Sequence, residues 1–174
     1  QNPQLRHMGP RSSRQNEIVG AQQRRYDQGI NAKMTQLVFN RDDELAQWAE
    51  ITYPDCAPLS RPLTSIGIAN SEGEILGVAI YHNFRQNDVE VTFITTTPRW
   101  ATLGNVRALL HYPFIQLGVQ RMTAITGKSN KKARKFLSGI GFLLEGTHPY
   151  AAKGKTACTY GIYLNNAQRW LSHG

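Results

Sequence analysis

The chain has 174 residues, 40% of them hydrophobic, and a formal net charge of +8, which suits one domain with a real core. No apolar run approaches the roughly 20 residues a bilayer-spanning helix needs, and the amino terminus lacks the apolar core of a signal peptide, so the sequence reads as a soluble protein without a membrane partner. Cys56 and Cys158 lie far apart and have no metal-ligand spacing with the five histidines; they read as reduced thiols, with no metal site.

Residues 1–33 are rich in Gln, Asn, Arg and Ser. They carry Arg6, Arg11, Arg14, Arg24, Arg25 and Lys33 against only Glu17 and Asp27. Such a segment cannot bury enough apolar surface to fold alone, and it predicts an extended basic arm preceding a folded domain over 34–174. Its arginines, with Ile18, Val19, Tyr26 and Ile30 as anchors, suit docking on a protein partner.

The domain opens with a short strand at 35–39 (TQLVF). Asn40, followed by Asp42, Asp43 and Glu44, predicts the cap and acidic first turn of a helix through residue 51. Its inner face is Leu45, Trp48, Ala49 and Thr52. Three prolines make 54–62 an irregular loop. Strands at 65–69 and 75–84 are joined by the turn Asn70-Ser71-Glu72-Gly73, and a second turn at 86–88 leads into a strand at 89–96. These form an antiparallel meander. In the last strand Val91 and Phe93 alternate with Glu90, which therefore faces the other side of the sheet.

A turn at 97–104 precedes a helix over 105–117, with Val106, Leu109, Leu110, Pro113, Phe114 and Leu117 along its core stripe and a kink at Pro113. A strand at 121–125 and the turn Gly127-Lys128-Ser129-Asn130 lead to a basic helix over 131–138, ending at Gly139. It faces Lys131, Lys132, Arg134 and Lys135 outward. A strand pair at 142–148 and 156–164 and a short helix at 166–172 complete the chain. The class is α/β (α+β): a mixed central sheet with helices on both faces. Two successive strand–helix units place ligands at the carboxyl ends of their strands, around 95–104 and 127–130. The lysines Lys128, Lys131, Lys132 and Lys135 suit phosphate-bearing partners, a cofactor or nucleic acid. His82, His111 and His148 have no spaced acidic partner and read as surface residues.

The element order, together with Glu90-Val91-Thr92-Phe93-Ile94-Thr95-Thr96-Thr97-Pro98, Ser129-Asn130-Lys131-Lys132-Ala133, Gly141-Phe142 and Glu145-Gly146, resembles the GNAT acyltransferase superfamily, and most of all its small phage- and prophage-encoded members. The resemblance covers residues 34 to the carboxyl terminus. It implies an acetyl-CoA-dependent N-acyltransferase, or a descendant of one, in the cytoplasm of a bacterial host or in a virion. Acetyl-CoA would lie between the strands 89–96 and 121–125, its pantetheine paired with Ile94, Thr95, Thr96 and Thr97. Its pyrophosphate would meet amides around Gly104 and Asn105, with Asn130 and Lys131 as further contacts. Glu90 matches the glutamate that serves as general base in part of the family. The family's phosphate loop, Gln/Arg-x-x-Gly-x-Gly/Ala, appears here as Ala101, Gly104 and Val106, and the tyrosine that protonates the leaving thiolate is replaced by Leu137. These departures keep a second reading open, a non-catalytic virion or assembly protein docked through residues 1–33. Nucleic-acid binding, from charge alone, is a third.

Overall fold

Apolar–polar alternation in the strands and apolar stripes in the helices build a seven-stranded sheet and four helices. The computed structural model describes residues 34–172; the expected basic arm, 1–33, lies outside the described residues. The strands are β1 (Thr35–Val38), β2 (Thr64–Asn70), β3 (Ile75–Arg85), β4 (Asp88–Thr95), β5 (Arg121–Gly127), β6 (Leu143–Ala152) and β7 (Lys155–Tyr163), and the helices are α1 (Asp42–Thr52), α2 (Leu103–His111), α3 (Lys131–Ile140) and α4 (Leu164–Leu171). The sheet order is β1-β2-β3-β4-β5-β7-β6. Every pairing is antiparallel except β4 with β5. The mixed sheet expected from the sequence is present, including the meander β2-β3-β4.

The sheet has two covered faces. On one, Leu45, Ala46 and Ala49 of α1 pack with Val78, Ile80 and Ile94. On the other, Leu109 and Leu110 of α2, Leu137 and Ile140 of α3 and Ala167 of α4 pack with Tyr81, Val89, Val91, Met122, Ala124, Tyr160 and Ile162. In α1 the third buried position is Ala46 rather than Thr52, which is exposed, and Trp48 is half-buried.

Several boundaries differ from the sequence expectation, and four of the differences have a clear local reason. Asn40 takes a left-handed conformation (φ 58°) and Arg41 starts α1 without a side-chain cap. Asp42 instead accepts from Ser65 N at 2.6 Å and Ser65 Oγ at 3.0 Å, which ties α1 to β2. Helix α2 begins two residues early because Thr102 Oγ1 caps the Asn105 amide at 3.2 Å. It ends at His111, and the chain widens into a single π turn, Tyr112–Gln116, because Pro113 supplies no N–H and its ring crowds the preceding turn. Helix α3 runs through Gly139 to Ile140. Burying Ile140 offsets the roughly 1 kcal/mol that a glycine costs inside a helix. The stop comes at Gly141, whose φ of 116° only glycine adopts freely, and the Phe142 amide closes the turn on the Leu137 carbonyl at 3.0 Å.

Candidate functional site

The site follows from one change of pairing. Strands β4 and β5 run parallel for three residue pairs, Asp88 with Arg121, Val89 with Met122 and Glu90 with Thr123. Beyond Glu90, β4 keeps its partner β3 as far as Thr95, and β5 keeps β7 as far as Gly127. From Val91 on, the edge of β4 that faces β5 has no strand beside it. An extended ligand can pair with such an edge as an added strand would.

Glu90 sits at the fork. Its side chain is half-buried on the α1 face, as the alternation predicted, and accepts a hydrogen bond from Asn83 Nδ2 at 3.0 Å. His82, the residue opposite Glu90 in β3, is 7% exposed and therefore not the surface histidine expected. Its Nε2 lies 2.9 Å from Thr92 Oγ1, while Nδ1 is buried with no hydrogen-bond partner among the described residues. Burial holds its pKa below the ordinary imidazole value against the pull of the Glu90 charge.

The expected cofactor residues divide into three groups. Ile94 turns its side chain away, into the core against α1. Thr95 is exposed at the end of β4. Thr96 returns both N and Oγ1 to the Leu76 carbonyl, at 3.0 and 3.2 Å, and Thr97 caps the turn Pro98–Trp100 by accepting from Arg99 N at 3.4 Å. The backbone on the free edge of β4 and the exposed Thr95 side chain are left for a ligand along this stretch.

Gly104 and Asn105 lie in the first turn of α2, not in a loop. Asn105 is 6% exposed, and its Nδ2 donates to Thr35 Oγ1 at 2.8 Å and to the Trp100 carbonyl at 2.7 Å. Its side chain is thus a latch inside the protein, and its backbone amide is capped by Thr102 Oγ1 at 3.2 Å. The amides of Leu103 and Gly104 have no hydrogen-bond partner among the described residues. A Cβ at Gly104 would meet nothing within 4 Å. Asn130 caps α3, its Oδ1 accepting from Ala133 N at 3.1 Å, and Lys131 follows it, exposed. Arg134, expected to face outward, folds back to donate Nε to Tyr160 Oη at 3.0 Å and Nη1 to the Lys128 carbonyl at 3.1 Å.

On the α2–α4 side of the sheet Phe93, Trp100 and Phe136 form an aromatic cluster. Their ring centroids are 5.9, 5.6 and 4.9 Å apart. Trp100 lies against Gly77, where a Cβ would come within 3.3 Å of its Cγ.

A second polar group was not anticipated. On the face that carries Glu90, Arg121 pairs with Asp88 at 2.9 Å and with Glu145, Thr123 Oγ1 donates to Asp88 at 2.9 Å, and Tyr163 Oη donates to Glu145. Parity was the available signal, since Asp88 with Glu90 and Arg121 with Thr123 are two residues apart in adjacent strands. An open depression of about 560 Å³ borders this group, lined by Asn87, Asp88, Gln120, Arg121, Tyr163, Leu164 and Asn165. It lies at the amino ends of the parallel pair. The free strand edge and free helix amides are at the other end.

No protein-family model matches the sequence, and neither does any curated protein. Solved structures do match the fold. A ribosomal-protein-S5-alanine acetyltransferase from Vibrio fischeri superposes with a TM-score of 0.60 over 74% of this chain and 92% of its own, at 14% identity. Mutant forms of a spermidine/spermine N-acetyltransferase from Vibrio cholerae give a TM-score of 0.61 over 78% and 96%, at 11% identity. The fold is that of the GNAT acetyltransferases. At these identities the likeness extends to the architecture, GNAT sheet and helices alike, and acceptor specificity is outside it.

Proposed function

We propose that this chain is an N-acetyltransferase that takes its acetyl group from acetyl-CoA and gives it to an amine. The observation that carries this reading is the fork: β4 parts from β5 immediately after Glu90, beside a helix start with two unpartnered amides. Those amides and the positive end of α2 favour a pyrophosphate, and Gly104 lets it approach. Lys131 adds charge at the start of α3. The free edge of β4 suits the amide groups of a pantetheine arm, and the cluster of Phe93, Trp100 and Phe136 suits its methylenes.

Glu90 supplies the base. An ammonium cannot attack a thioester, so the acceptor first gives a proton to the Glu90 carboxylate, directly or through water. The amine nitrogen then bonds to the acyl carbon, the carbon–sulfur bond breaks, and the sulfur leaves as a thiolate that takes up, through water, the second proton the nitrogen sheds on becoming an amide. Asn83 holds the carboxylate at the fork while this happens.

The second reading, a non-catalytic assembly protein of a phage virion, is favoured by Leu137. This residue is 4% exposed in the core at the position where the resemblance calls for a tyrosine acid. Calorimetry with acetyl-CoA, followed by acetylation assays on polyamines and on peptide amino termini, separates the two. Binding with turnover supports the transferase. No binding at millimolar acetyl-CoA overturns it.

A further inference from the structure

Charge is distributed unevenly along the folded chain. Residues 91–172 contain eleven Lys and Arg and a single acidic residue, Glu145. Glu145 is bound by Arg121 on the sheet face away from α2, α3 and α4, and so neutralises nothing on the helical side. Helix α3 exposes Lys131, Lys132 and Lys135. Lys128 precedes it in the turn. None of these four lysines has an ion-pair partner among the described residues.

We infer that this lysine face docks on the phosphate backbone of a nucleic acid. Charge complementarity calls for a polyanion, and composition selects which kind. Protein interfaces have an apolar or aromatic centre and are depleted in lysine. The exposed side of α3 consists of Lys131, Lys132, Lys135, Ser138 and Gly139, without a large exposed hydrophobic. Lysine ammonium groups meet phosphates as point charges and impose no fixed geometry, which suits binding without base readout. Lys131 and Lys135 lie about one turn apart, about 6 Å along the helix axis. The positive end of the α3 dipole lies at the same place. Lys131 is shared with the proposed acetyl-CoA site; the rest of this face takes no part in the transfer proposed above.

The test is fluorescence anisotropy of a labelled single-stranded DNA with the full chain, titrated from about 50 to about 200 mM salt. The comparison protein carries Lys128→Gln, Lys132→Gln and Lys135→Gln together. Lys131 is left intact because it borders the acetyl-CoA site, and residues 1–33 are common to both proteins, so their charges cancel in the difference. Each lysine lost from a single-strand contact lowers the slope of log K against log salt by about 0.7, so the triple variant should lose about 2 from its slope. The same three positions changed to Arg should keep both slope and affinity, which guards against a folding defect in the Gln variant. An unchanged slope overturns the inference, as does absence of binding by the wild type. So does displacement of the DNA by polyglutamate at equal charge concentration, which would make the surface a dock for acidic protein.

Discussion

Asn83 donates its side-chain amide to the Glu90 carboxylate at 3.0 Å across the β3–β4 hairpin, and Asn83 itself has a left-handed backbone, with φ at 50°. The β-bulge between His82 and Arg85 turns Asn83 toward Glu90, a residue that is not its register partner. The carboxylate is therefore held at the fork by one neutral donor.

Glu90→Gln keeps the shape of the fork and removes its base. Turnover should fall by tenfold or more, on the order of a general-base deletion, with acetyl-CoA affinity unchanged by calorimetry. Asn83→Ala should lower kcat by less and likewise spare cofactor affinity. A Glu90→Gln enzyme with wild-type turnover removes Glu90 from the chemistry.

Gly104 gives opposite signs for stability and binding. Nothing within 4 Å opposes a Cβ there, so Gly104→Ala should stabilise α2 by up to about 1 kcal/mol. A larger side chain, in Gly104→Trp, covers the free amides and should abolish acetyl-CoA binding while leaving the thermal midpoint near wild type. Equal acetyl-CoA affinity in wild type and Gly104→Trp would move the pyrophosphate site elsewhere.

Helix α4 ties α2 to the end of α3. Arg107 Nε donates to the Trp170 carbonyl at 2.9 Å, and Trp170 Nε1 donates to the Ile140 carbonyl at 2.7 Å, one of the open carbonyls of the α3 carboxyl end. Trp170→Phe keeps most of the packing and loses that bond, and should cost about 1 kcal/mol in chemical denaturation. Trp170→Ala also loses the half-buried ring, and about 3 kcal/mol is the expected cost. Identical midpoints for Trp170→Phe and wild type would show that water satisfies Ile140 equally well.

Much of this was legible in the sequence because strands, turns and helix stripes are local signals. Val91 and Phe93 against Glu90 gave the two faces of β4, and the Asn70–Gly73 turn gave the β2–β3 hairpin. What was not legible depended on contacts between residues far apart in the chain. Asn105 occupies a phosphate-loop position, yet its amide is claimed by Thr35, seventy residues away. Gly139 looks like a helix stop until Ile140 finds the core and Arg169 and Trp170 find the carbonyls of Gly139 and Ile140. Arg134 has the spacing of a surface cation and is drawn inward by the Tyr160 hydroxyl. No local rule places a side chain beside a partner on another strand.

The group around Glu145 gives a prediction with a defined sign in pH. Gly161, opposite Leu143 in the β6–β7 pairing, leaves the space in which the Glu145 carboxylate lies; a Cβ on Gly161 would come within 2.7 Å of Glu145 Cδ. Partial burial raises the pKa of Glu145, but hydrogen bonds from Tyr163 and Arg121 and the charge of Arg121 outweigh it, and the net result lies below the ordinary glutamate value of 4.5. The unfolded chain therefore binds more protons than the folded one in the acid range. Stability from this group is fully present above the ordinary glutamate value and is lost as pH falls through it toward the lower folded value. Glu145→Gln should flatten the acid side of the stability curve, measured by urea denaturation from about pH 6 to about pH 3. The carboxylates of Glu44 and Asp55, which Arg41 and Lys153 also hold low, are present in both proteins and cancel in the comparison. Gly161→Ala displaces Glu145 from its seat and should cost about 1–3 kcal/mol at neutral pH. In Glu145→Gln/Gly161→Ala the crowding persists while the charge is gone, so this double variant should be destabilised at neutral pH yet show the flattened acid limb. An acid limb in Glu145→Gln as steep as that of wild type would show that Arg121 and Tyr163 contribute nothing to stability through this carboxylate.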